Sequence, residues 1–432
     1  MTDTDQYPAI PGPRLPVVVQ TVLYGLKTVE YLEWCHRRYG DVFSVRLPGS
    51  TFVVLADPAA IRTVFELDAS DYAVAANASF LSPFVGDRSV LLRDGDAHRG
   101  ARRRLVAAFH GETTKAWSEA MTDITVRRVA EWPVDTPFAL LPRFRTITLD
   151  MIKHLVLGAT DSDDTEQLNA AFQPWLAQAG SVAVLAPPFR RRLLGLSLWA
   201  RFVRQRTRVD AALDRLIAAR RADPCLAERT DVLSALLRAD ELDDAELRDT
   251  LLTMLAAGHD TTASSLAWAF DLLLRDPDRY RRLGDDEYVD AVAKEVLRLR
   301  PVIEMVGRPL TRPITLGDYE LPAGVTAAPS VLLAHRRPQS YDQPLTFRPE
   351  RFLGHRPDPA SWLPFGGGVR RCLGANFAML ELRTVIRTVW ESTDLRPVGG
   401  PEHSRRRAVT LIPKKGSRTV LVKRPRMPGL AE

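Results

Sequence analysis

The sequence predicts a mainly α protein with small β-sheets near its two ends. From about residue 96 to about residue 300, nearly every segment places apolar residues at helical spacing, punctuated by Pro133, Pro137, Pro174, Pro187, Pro188 and Pro224. Near the start, VFSVRLPGSTFVVLA sets two alternating runs around a turn. Past Pro301, prolines become frequent and short strand-like runs appear, ITLGDYELPAG among them. No internal repeat or low-complexity linker divides the 432 residues, so 1–432 reads as a single domain.

The elements follow in order. PAIPGPRLP cannot be helical, because proline fixes φ and lacks a donor, so residues 1–15 are expected as an extended arm. Val17 to Leu26 is the longest early apolar stretch; it is interrupted and shorter than the ~20 residues that cross a bilayer. Helical spacing begins near Thr28 and runs to Tyr39, the hairpin turns on Pro48-Gly49-Ser50, and Asp57-Pro58 starts a further helix. LDDAELRDTLLTMLAAGHDTTASSLAWAFDLLLR reads as a long central helix over 243–275, ~45 Å at ~1.5 Å per residue. Asp243 and Glu246 form its expected capping box. A last helix is expected from about Gly374 to about Trp390, followed by strand-like pieces.

Composition excludes some functions. The net charge is +6, and seven of the 59 basic residues are lysines, the rest arginines. Acids and bases are interspersed, with no zinc-finger spacing and no lysine-rich tail, which argues against a nucleic-acid partner. Cys35, Cys225 and Cys372 make no disulfide framework and fit a reducing compartment. MTDTDQYPAI lacks the charged n-region of a signal peptide. A soluble, cytoplasmic monomer is the expectation.

The chemistry concentrates in FGGGVRRCLG, residues 365–374. Gly366, Gly367 and Gly368 allow positive φ and a close approach to a flat ligand. Cys372 stands at the start of a helix, where the dipole and unpaired N–H groups favour thiolate, a strong metal ligand. No second Cys or His lies at zinc-like spacing. One thiolate on one metal implies a macrocycle for the other ligands, which points to haem.

The stretch resembles the haem-binding signature of the cytochrome P450 family, with Phe365, Gly368, Arg370, Cys372 and Gly374 filling its five positions. The resemblance implies the cytochrome P450 fold, a large helical domain around haem with minor β-rich regions. It also implies heme b (iron-protoporphyrin IX) with Cys372 as axial ligand, Phe365 beside the sulfur, and Arg370 on a propionate, where many bacterial relatives carry His. AGHDTT resembles the family's oxygen-activation motif through Ala257, Gly258, Asp260 and Thr261. By that likeness Thr261 would donate a hydrogen bond to dioxygen, Asp260 would relay protons, and Gly258 would leave room above the iron. Read alone, the segment is a locally distorted helix with a back-bonded threonine.

Other motifs extend the resemblance from about residue 8 to about 422. Glu295 and Arg298 match the family's Glu-X-X-Arg, with Arg351 of FRPERF joining them in a folding role. His98 and Arg102, four apart on DGDAHRGARRRL, resemble a pair that contacts haem propionates; the other reading is a solvated basic helix. Arg308 resembles a further propionate-binding arginine, with Arg312 competing for the position. His335 reads as structural, His259 occupies the motif's variable position, and Cys35 and Cys225 read as ordinary thiols.

Substrate contacts are expected from 72–92, 172–200, 255–257, 302–306 and the turn near Thr410, including Phe80, Phe84, Phe172, Trp175, Leu185, Val302 and Ile303. Such a lining suits an apolar small molecule. SVAVLAPPFRRRLLGL, residues 181–196, reads as a lid, with weak peripheral membrane contact as its second reading. No flavin or nicotinamide fingerprint and no ferredoxin cysteine cluster occurs, so electrons are expected from a separate ferredoxin or flavodoxin with its reductase, docked on Arg371, Arg103 and Arg104. The expected activity is an O₂-dependent monooxygenase. A peroxide-driven or isomerising relative and a non-enzymatic haem or lipid carrier are the rivals.

Overall fold

The computed structural model describes residues 9–108, 114–158, 163–178 and 197–423. The expected lid over 181–196, Leu185 included, lies outside the described residues. The chain is mainly helical with small sheets. Two compact units are distinguished: residues 1–74, 125–144 and 261–432 form the first, and residues 75–124 and 145–260 the second. The boundary between Asp260 and Thr261 falls inside the long helix, Asp244–Leu273.

All strands among the described residues belong to the first unit. Residues 9–16 carry no regular structure, and then the chain departs from expectation: Val17–Leu26 is a helix (α1), separate from Thr28–Tyr39 (α2). α1 hides its signal because it is turned inside out. Its polar Gln20 is fully buried, donating to the carbonyls of Leu15 (2.8 Å) and Pro13 (3.2 Å) and accepting from the Arg46 amide (2.9 Å). The hairpin is as read: β1, Val42–Leu47, pairs antiparallel with β2, Ser50–Leu55, with Leu47 opposite Ser50. Proline suits the first central position of that turn and Gly49 takes φ +83°, a conformation glycine adopts without strain.

β2 continues in parallel with Thr326–Pro329, which pairs antiparallel with Arg308–Pro309, so Arg308 lies on the outer strand of a four-stranded sheet. Alternation along β2 divides the core. Val53 and Leu55 pack with Ile61, Val64 and Leu363 on one face, and Val54 packs with Leu32, Phe43 and Val45 on the other. Cys35 is buried in this second cluster, and burial pushes its thiol up to about 11.

The second unit is helical. Arg220 ties it internally, donating to Asp231 (2.5 Å), Ser234 Oγ (2.7 Å) and the Leu157 carbonyl (2.5 Å). The capping box that opens the long helix forms by half. Asp243 accepts from the Glu246 amide (2.9 Å), but the Glu246 carboxylate turns to Arg93 (2.8 Å) and Arg104 (3.0 Å). Arg104 was expected as an exposed docking cation; its charge is instead neutralised within the unit, while Arg103 stays exposed.

Candidate functional site

In the first unit the cysteine loop folds back on itself, the Cys372 amide donating to the Phe365 carbonyl at 2.9 Å. Gly366 and Gly368 take φ +65° and +64°, whereas Gly367 is extended. The glycines also permit contact with another element. A Cβ on Gly367 would overlap the Phe65 ring, and one on Gly368 would overlap the Phe65 carbonyl oxygen. The helix that follows is Ala375–Ser392 with Gly374 as its N-cap, so Cys372 stands two residues before the cap. Its side chain is exposed.

Arg308 is buried against this loop. Its Nη2 donates to the Gly367 carbonyl (3.1 Å) and its Nη1 to the Gly307 carbonyl (3.1 Å). Its guanidinium lies 5.2 Å from the Tyr72 ring centre and 5.8 Å from that of Phe65. Arg370 approaches the same Tyr72 ring at 5.9 Å. No carboxylate pairs with Arg308 among the described residues, and burial pushes its pKa down, Tyr72 opposing and Arg370 adding to the shift. Arg312, the competitor for its role, pairs with Asp71 at 2.6 Å instead. A sulfur ligand beside a glycine edge and a buried, uncompensated cation fits a flat anionic group that carries a metal. Haem with its propionates is such a group.

The loop is held from behind. Glu295 and Arg298 are fully buried and paired twice, at 2.7 and 2.8 Å. Arg351 adds a contact at 3.3 Å and the Arg348 amide another at 2.8 Å. Arg298 also donates to the carbonyls of His335 and Pro344, both at 2.7 Å. His335 completes the link: Nδ1 lies 3.1 Å from the Arg298 carbonyl and Nε2 accepts from the Leu363 amide at 2.8 Å, two residues before Phe365. The ring must be neutral to do both, and burial with Arg298 pushes its pKa down to about 3.

Thr261 is half-buried, and Thr262 beside it is buried. Sequence reasoning missed what lies near them. Glu381, on the helix after the cysteine, is buried, and burial pushes its carboxyl up to about 8, with the Thr262 hydroxyl opposing. A lone glutamate within an apolar helical pattern was the available signal.

In the second unit, Asp260 accepts from Arg145 Nε at 2.6 Å, a pairing across 115 positions that no local pattern announces. A Cβ on Gly258 would meet Ile152 at 2.9 Å, so its smallness admits a neighbouring helix. The His259 carbonyl accepts from Thr148 Oγ1 at 3.0 Å, and its buried ring stands edge-on to Phe172 at 6.4 Å. Ala257 is exposed at mid-helix. His98 is buried and Arg102 half-buried on Gly95–Ala108, a helix rather than a wholly solvated face. Phe84, Trp175, Phe172 and Phe202 form one aromatic cluster with ring centres 5.1–6.3 Å apart; Phe84, Phe172 and Trp175 are among the expected substrate residues. Val302, in the first unit, is buried, and Ile303 is partly so.

Comparison with known proteins places this geometry. The profile of the family described as "Cytochrome P450" matches residues 10–420. A relative from Mycobacterium bovis and Mycobacterium tuberculosis, cytochrome P450 135B1 by name, is 41% identical over 97% of this chain and 92% of its own length. Another from the same organisms, cytochrome P450 138, is 37% identical over 96% of each chain. Among solved structures, "Retinoic acid bound cyanobacterial CYP120A1" superposes with a TM-score of 0.83 at 25% identity, over 96% of this chain and 99% of that one. The "cytochrome P450DA heme domain" gives 0.84 at 21% identity, over 97% and 98%.

Proposed function

The chain belongs to the cytochrome P450 family and is a haem-dependent monooxygenase, and on that premise we propose that it oxidises an apolar small molecule with electrons from a separate carrier protein. Bound at Cys372, haem b supplies the activation of O₂ that lets one oxygen atom enter substrate while the other leaves as water. The residues of this chain do the rest. Cys372 holds the iron as thiolate, with Phe365 beside the sulfur and Gly368 and Gly374 shaping the loop. Arg308 and Arg370 take the propionates, as do His98 and Arg102. Thr261 would hold a proton at its hydroxyl for the oxygen chemistry, one helical turn from Ala257. Asp260 carries protons inward from solvent, and Arg145 fixes its carboxylate while it does so.

The observation that supports this reading best is Arg308, a cation buried on the cysteine loop that meets two carbonyls and the Tyr72 and Phe65 side chains but no carboxylate among the described residues. A guanidinium stays charged, so it needs an anion there. The substrate belongs to the class of hydrophobic small molecules, as does the retinoic acid bound by the cyanobacterial neighbour. Exposed Arg371 suits an acidic ferredoxin or flavodoxin.

The test is the spectrum of the reduced protein under carbon monoxide. Thiolate ligation shifts the Soret band far to the red, and Cys372→Ser abolishes that shift. A wild-type band at the position of histidine-ligated haem would overturn the assignment of Cys372.

A further inference from the structure

Five exposed apolar residues of the first unit lie together on α1, where its other exposed large apolar side chains are scattered along the chain. Val18, Val22 and Leu26, spaced i, i+4 and i+8, are 73%, 50% and 79% exposed, and Val17 and Val19 flank them. The opposite side of the helix is spent on Gln20, which binds the arm and β1, and on Tyr24, whose hydroxyl donates to Glu304 at 2.5 Å. The outward face is therefore not a core stripe that failed to pack. The inward contacts hold the helix so that valines and a leucine face water.

Charge identifies what suits this face. No acidic residue occurs from Gln6 to Val29, while Arg14 and Lys27 bracket α1 and are exposed. Exposed Arg46 reaches the same segment, its Nη2 donating to the Leu15 carbonyl at 3.1 Å. The strand Ser404–Arg407, which packs on α1, adds exposed Arg405. None of these four cations enters an ion pair among the described residues. Apolar side chains bracketed by uncompensated cations match the interface of an anionic bilayer, where the apolar groups enter the acyl boundary and the cations meet lipid phosphates. At ten residues α1 is too short to cross, and no helix among the described residues is long and apolar enough to do so.

We propose that α1 is a peripheral docking surface for anionic lipid membranes, with Val18, Val22 and Leu26 entering the bilayer and Arg14, Lys27 and Arg46 on the headgroups. The surface is separate from residues 181–196, for which the sequence offers peripheral membrane contact as a second reading.

Flotation of the haem-loaded full chain with phosphatidylcholine vesicles, alone and mixed with phosphatidylglycerol, tests it. Wild-type protein should float with the mixed vesicles, less so at high salt, and weakly with the neutral ones. Val18→Glu with Val22→Glu should lower the bound fraction at least about tenfold. Val18→Thr with Val22→Thr, which keeps the side-chain shape, should lower it in the same direction if the glutamate pair fails to fold. Arg14→Gln with Lys27→Gln should cost about tenfold on mixed vesicles and leave neutral ones unaffected. Wild-type protein that stays at the bottom of the gradient with mixed vesicles would overturn the proposal. So would valine variants of either kind that fold and float like wild type. Light scattering that shows a dimer dissolved by the same variants would assign the face to a second copy instead.

Discussion

Arg298 and Arg308 lie ten residues apart, both buried, and the protein treats their charges in opposite ways. Arg298 meets both oxygens of Glu295, the carbonyls of His335 and Pro344, and the face of Tyr341 at 4.9 Å. Arg308 meets two carbonyls and two aromatic rings. The first charge is closed by the protein itself and has no capacity left for a ligand. The second is left open on the loop that carries Cys372. A buried arginine is thus architectural or functional according to whether the fold brings it an anion.

The largest effect should come from breaking the closed cluster. Arg298→Ala would strand Glu295 between the weaker contacts to Arg351 and the Arg348 amide, in a place with no solvent. Removing one partner of a buried ion pair costs about 3–5 kcal/mol. The variant should unfold well below the wild-type thermal midpoint and incorporate no haem, as followed by circular dichroism and Soret absorbance. A variant as stable as wild type would mean that the cluster does not hold the loop.

The two arginines also show what sequence could disclose. Glu295 and Arg298 sit one helical turn apart, and Phe365 to Gly374 form one continuous stretch, so local spacing brings out both. The long helix was legible for the same reason, within two residues at each end. Asp260 with Arg145 was not, because the pairing depends on which helices meet. Arg104 was read as exposed because its neighbours are basic, while Glu246, 142 positions on, neutralises it. α1 was missed because a helix with its polar residue inward and its valines outward reverses the rule by which helices are found.

Glu381 is the negative counterpart of Arg308, a buried charge-bearing group with no cation beside it among the described residues. Its way out differs, since a carboxyl can take a proton. The native protein keeps that proton up to about pH 8, whereas the unfolded chain releases it near the ordinary value of 4.5. Between those values the folded state binds the extra proton, so stability falls as pH rises and levels off above about 8. Glu381→Gln, neutral at every pH, should be close to wild type near pH 5 and exceed it near pH 9 by several kcal/mol, about 5 at most. Urea unfolding at the two pH values measures this directly. Equal stabilities at pH 9 would mean that the carboxyl is solvated or paired when ionised.

Arg308 has no such exit, because a guanidinium does not give up its proton in a protein. If its charge is uncompensated until an anion arrives, Arg308→Met should cost the apoprotein little. The methionine keeps much of the stem's packing, and the lost contacts to the Gly307 and Gly367 carbonyls are offset by removing a buried cation, for a net change within about 1 kcal/mol. The cost should appear in retention of haem, with transfer to excess apomyoglobin faster by about tenfold, the scale of one charge-assisted hydrogen bond. Arg308→Lys, which restores the charge without the fork, should recover part of that loss. The opposite pattern, a destabilised apoprotein that holds haem as tightly as wild type, would make Arg308 a second Arg298 and remove the main support for an anionic cofactor at this loop.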